Sequence, residues 1–89
     1  MIKSQITIIN KLGLHARAAA KLVNTAAAFS SQIQLSNGDR MVDAKSIMSV
    51  MMLAASKGTT LDIQIDGRDE DQALNAIEAI VNDMFGEGE

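Results

Sequence analysis

The 89-residue chain contains no cysteine, no proline, no tryptophan and no tyrosine, and it has a single histidine. Without cysteine there is neither a disulfide framework nor a thiolate metal site, and one histidine cannot build a zinc cluster. No metal and no cofactor are therefore expected. Phe29 and Phe85 are the only aromatic residues, so a stacking platform for bases is missing, and the net charge of −3 opposes binding to a phosphate backbone. Nucleic acid is not expected as a partner. No apolar run approaches the roughly 18 residues that a membrane span needs. Residues 1–25 carry polar groups too regularly for a secretory signal, so the expectation is a cytoplasmic protein with no membrane insertion. The length fits one domain over residues 1–89, acting as a monomer.

The charge that is present is divided. Residues 1–65 carry seven basic and three acidic groups, whereas residues 66–89 carry one and eight. The acidity lies in the tail.

Hydrophobic periodicity gives the order β-α-β-β-α-β-α. Ile2, Ile6 and Ile8 alternate with Lys3, Gln5 and Thr7, which predicts a half-buried strand over 2–9. A glycine loop, Asn10 to Leu14, leads to an alanine-rich helix from Ala16 to about Ala28, with Ala19, Leu22, Val23 and Ala26 facing inward and Phe29 anchoring its end. Ile33 and Leu35 mark a second strand. Asn37-Gly38 predicts a two-residue hairpin into 39–43, pairing Val42 with Ile33 but also Arg40 with Leu35. Ser46 starts a second helix whose inward residues are Ile47, Val50, Met51 and Ala54, stopped by Gly58. Leu61, Ile63 and Ile65 form a fourth strand. Asp69 and Gln72 resemble a capping box, and Ala73, Ile77, Val81 and Met84 mark the stripe of a last helix ending near Gly86. These elements predict an α+β fold in two layers: a four-stranded antiparallel sheet with three helices on one face and the other face open.

His15 stands where the glycine loop becomes a helix, just before Ala16 and Arg17. The first N–H groups of a helix lack internal partners and carry about half a positive charge, so an anion such as phosphate is stabilised there. The same field, with Arg17, favours a neutral imidazole with a free lone pair, which is a nucleophile. Arg17 could then grip phosphoryl oxygens with its planar fork. From spacing alone an ordinary surface histidine is the favoured reading, because one histidine and one arginine make a weak signal. Met48 and Met52 lie off the inward helical face; they are either core or an adaptable contact patch.

The run Gly13-Leu14-His15-Ala16-Arg17-Ala18-Ala19 resembles the active-site signature of the HPr family, the histidine phosphocarriers of the bacterial phosphoenolpyruvate-dependent phosphotransferase system. Lys45-Ser46-Ile47-Met48-Ser49-Val50-Met51-Met52-Leu53 resembles that family's second signature, so the likeness spans essentially the whole chain. It implies an open-faced β-sandwich with strand order 1-4-2-3. It also implies a carrier, not a turnover enzyme, that accepts phosphoryl on His15 from enzyme I and passes it to enzyme IIA proteins, with Arg17 stabilising the phosphate. Ser46, an N-cap on local grounds, matches the family's regulatory phosphorylation site, which implies a Ser46 kinase/phosphorylase as a further partner. Ala16, Ala20, Lys45, Ile47, Met48 and Met51 match the surface that meets partners. Ala18 stands where most relatives carry proline, and Lys11 to Arg17 looks as much like the family's nitrogen-related branch as its sugar branch. The alternative in another class is a regulatory binding module responding to Ser46 phosphorylation, although such modules usually lack the histidine.

Overall fold

A computed structural model describes residues 1–87. Alternating apolar residues produce four strands: β1 (Ile2–Thr7), β2 (Gln32–Ser36), β3 (Met41–Asp43) and β4 (Thr60–Asp66). All pairings are antiparallel and the order is β1-β4-β2-β3. The register sets Ile6 opposite Leu61, Ile33 opposite Ile65 and Leu35 opposite Ile63. Because side chains alternate across a strand, this alignment puts all six on one face, where they are buried. The other face is polar: Gln5 Nε2 donates to Asp62 Oδ1 at 3.0 Å, and the Thr7 and Thr60 hydroxyls lie 3.0 Å apart.

The helices α1 (Ala16–Ala27), α2 (Ile47–Met51) and α3 (Glu70–Asn82) cover the apolar face. On α1 the buried residues are Ala18, Ala19, Leu22 and Ala26. Three of the four are alanines, so the helix packs close to its neighbours, and Leu22 supplies about 1.5–3 kcal/mol of burial. On α3, Ala73, Ile77 and Val81 form the buried stripe. No described helix is long and apolar enough to cross a membrane.

Four local expectations are corrected. The β2–β3 connection spans four residues, not two: Leu35 pairs with Val42 and Ser36 with Met41. The Asn37 side chain causes this, accepting from the N–H groups of Asp39 (3.0 Å) and Arg40 (3.2 Å), while Gly38, with φ +98°, carries the loop's left-handed backbone. The longer loop also removes the Arg40–Leu35 mismatch. The strand predicted to reach residue 9 ends at Thr7, although Ile8 still accepts from Gly58 N–H at 2.7 Å. Helix α2 has only five residues. Ile47, Met51 and Ala54 are therefore exposed, and Val50, Leu53 and Ala55 do the packing. Finally, α3 stops at Asn82, and Met84 and Phe85 adopt left-handed backbone in a 3-10 turn over Met84–Gly86. Phe85, not Met84, is the buried residue there.

Asp69 occupies the N-cap of α3, but its carboxylate makes no cap bond. It accepts instead from the N–H groups of Ser30 (2.9 Å) and Ser31 (3.0 Å) and from the Ser31 hydroxyl. The Ser31 hydroxyl bond and the two amides hold its carboxyl at about 2, below the ordinary 3.8. This fastens the start of α3 to the loop entering β2.

Candidate functional site

The loop before α1 is fixed by backbone chemistry. Gly13 has φ +68°, and a Cβ placed on it would lie 2.5 Å from the Ala55 carbonyl oxygen. Glycine therefore permits both the backbone turn and the approach of the neighbouring loop. Leu14 N–H donates to Ala55 O at 2.8 Å, and buried Asn10 donates through Nδ2 to Gly13 O at 2.7 Å. These bonds deliver His15 to the N-cap of α1 with extended backbone (φ −72°, ψ 178°).

The His15 side chain makes no cap bond, and the first turn of α1 contains no acidic residue. The first intrahelical bond runs from Ala19 N–H to His15 O at 2.8 Å, so the N–H groups of Ala16, Arg17 and Ala18 point out of the helix start. His15 and Arg17 line one groove of about 660 Å³ together with Lys11, Leu12, Ala16 and Lys21. Three cations and a helix N-terminus thus surround one partly exposed imidazole. The arrangement suits a group that arrives at the imidazole carrying negative charge.

The groove has a further wall that the local sequence around His15 does not announce. Glu87 Oε2 contacts His15 Nε2, and Asn10 Nδ2 donates to Glu87 Oε1 at 2.9 Å. Lys21 Nζ donates to Phe85 O at 2.5 Å, which holds the chain just before Glu87. Burial pushes the Glu87 carboxyl up, but the Asn10 and His15 bonds, with attraction to His15 and Lys21, outweigh it and hold the group below its ordinary value. Beside the helix field and Arg17, a carboxylate therefore also acts on the ring, and the opposite sign of its charge is absent from the local sequence pattern. The signal available in the sequence was the charge division, a basic body beside an acidic tail.

The remaining predicted residues fall along α1 and α2. Lys45 Nζ donates to Phe29 O at 2.7 Å, just past the end of α1, while Leu14 at its beginning is bonded to the loop after α2. The two helices therefore run side by side in opposite directions. Ser46 caps α2, its hydroxyl accepting from Ser49 N–H at 3.4 Å. Ala16, Ile47, Met48 and Met51 are exposed, and Ala20 and Lys45 are half-buried. Met48 (71% exposed) and Leu12 (67%) are the most open large apolar residues among those described. Leu12 was not singled out from the sequence. Among the described residues no acidic or histidine cluster could hold a metal ion.

Comparison with known proteins accords with this geometry. The family model described as "PTS HPr component phosphorylation site" matches residues 2–83. Phosphocarrier protein HPr of Cupriavidus necator is 55% identical over 89 residues, all of both chains. That of Pseudomonas aeruginosa is 56% identical over 86 residues, 96% of each chain. The crystal structure of HPr-C-His from Thermoanaerobacter tengcongensis is similar with a TM-score of 0.93 and 44% identity, covering 98% of each chain. The chain belongs to the HPr family of phosphotransferase-system phosphocarriers.

Proposed function

We propose that this protein accepts a phosphoryl group on His15 Nδ1 from enzyme I charged by phosphoenolpyruvate, and passes it to enzyme IIA proteins. The observation that carries this reading is an imidazole at an uncapped, acid-free helix start, in one groove with Arg17. The N–H groups of the first turn and the Arg17 fork meet the oxygens of the arriving group, and the partner supplies the rest of the machinery. By itself the protein is a carrier, not an enzyme, and it works in the cytoplasm as a monomeric single domain. Ala16, Ala20, Ile47, Met48 and Met51, with Lys45 at the far end, form the docking surface. Ser46 caps α2 beside Ile47 and Met48, so its phosphorylation by a kinase regulates by placing negative charge on that docking surface.

Incubation with enzyme I and phosphoenolpyruvate, followed by mass measurement, tests the proposal. One acid-labile phosphoryl group is expected on the parent and none on His15→Ala. Arg17→Lys should fold normally and transfer several-fold more slowly, because an ammonium keeps the charge but loses the planar fork. Acid-labile phosphate on the His15→Ala variant would overturn the assignment.

A further inference from the structure

We propose that Glu87 is a positioning residue for phosphoryl transfer, keeping the His15 proton on Nε2 in both the free and the phosphorylated state. This rests on the reading of His15 Nδ1 as the acceptor. An ionised carboxylate only accepts hydrogen bonds, so its contact with Nε2 requires that nitrogen to carry the proton. Nδ1 is then left with the lone pair. The logic is that of a nucleophile oriented by a third group.

The chain holds this carboxylate in place by several means. Asn10 binds its other oxygen, Lys21 holds the carbonyl two residues earlier, and left-handed backbone at Met84 and Phe85 turns the segment back toward α1. Left-handed conformations at two non-glycine residues are unfavourable and persist where the surroundings impose them. Burial of Phe85 is one such constraint; the Glu87 contacts are another.

The proton balance shows what the contact does. In the forward step the Nδ1 lone pair forms a bond to phosphorus, and the bond from phosphorus to the donor breaks with its electron pair leaving on the donor. Nε2 keeps its hydrogen, so the ring becomes a phosphorylated imidazolium whose positive charge faces Glu87. In the onward step the N–P electron pair returns to Nδ1, and His15 leaves as neutral imidazole with the same hydrogen on Nε2. No proton has to be delivered or removed. Without the carboxylate, the cationic ring would face Arg17 and Lys21 of α1 and Lys11 of the preceding loop, all positive. The phosphorylated ring would then lose its Nε2 proton more readily and become a poorer leaving group.

The test compares the parent with Glu87→Ala and Glu87→Gln, labelled with ¹⁵N in the imidazole. Long-range ¹H–¹⁵N couplings of the unphosphorylated chain, measured without any partner, should place the proton on Nε2 in the parent. In Glu87→Ala a several-fold larger share should move to Nδ1. After phosphorylation, the acid limb of phosphohistidine hydrolysis should move to lower pH by roughly one unit in both variants, since both lose the carboxylate charge. Urea midpoints check that the fold is intact. An unchanged tautomer in Glu87→Ala together with an unchanged hydrolysis profile would overturn the role of Glu87. A parent chain that takes up no phosphate on His15 would instead overturn the functional reading, while the tautomer comparison would still decide the role of the contact.

Discussion

The starts of α1 and α3 are both helix N-termini on the same sheet face, yet they are built oppositely. At α3, Asp69 is the N-cap and Glu70 and Asp71 fill the first turn, so negative charge is already supplied. At α1, the N-cap is His15, with no acidic residue in the first turn and no side-chain cap. A carboxylate does approach α1, but it comes from Glu87 and engages the imidazole. Every helix start favours an anion. The difference teaches that α3 satisfies that preference from its own sequence for stability, whereas α1 leaves it open at the residue proposed to carry the phosphoryl group.

The largest effect should come from making α1 resemble α3. Ala16→Asp puts an acid in the first turn of α1, where it should stabilise the fold by about 0.3–1 kcal/mol and lower phosphoryl uptake by about tenfold or more, since the incoming anion meets like charge. Urea denaturation and the rate of transfer from enzyme I measure the two quantities, and Ala16→Asn separates charge from bulk. Rising stability with unchanged transfer would break the comparison.

Removing charge at α3 should move stability alone. Asp69 is depressed to about 2 in the folded chain from an ordinary 3.8. Its contribution is therefore complete above pH 3.8 and is lost as the pH falls through about 2. Asp69→Asn should be less stable at neutral pH, should lack this part of the acid-induced loss, and should still carry phosphate on His15. Urea midpoints measured across that pH range check the sign.

The smallest effect concerns Ala18, the third helical residue of α1, whose N–H lies outside the intrahelical ladder. Proline there sacrifices no helical bond and restricts the unfolded chain, so Ala18→Pro should stabilise by about 0.4–1 kcal/mol. Intact stability with collapsed transfer would identify the Ala18 N–H as a phosphate ligand.

What was legible in the sequence were features governed by nearest neighbours. Ile2, Ile6, Leu61, Ile63 and Ile65 reveal their strands because one face is buried and the period is two. His15 announces its helix start because Gly13 breaks the chain two residues before it and an alanine-rich run follows. The errors arose where a side chain had distant or competing options. Asn37 bonds two successive amides and lengthens the hairpin. Asp69 prefers Ser30 and Ser31, nearly forty residues away in sequence, to its own helix. The short α2 leaves exposed residues that a longer helix would have buried. Glu87 meets His15 across 72 positions, a pairing that periodicity cannot register and that only the charge division foreshadowed.

The most direct test of the open helix start is the backbone amide spectrum before and after phosphorylation. The amide protons of Ala16 and Arg17 should move downfield as the phosphoryl oxygens meet them, while those of Glu70, Asp71 and Gln72 stay in place. Phosphorylated protein whose α1 amides do not move, or whose α3 amides move as far, would contradict the account.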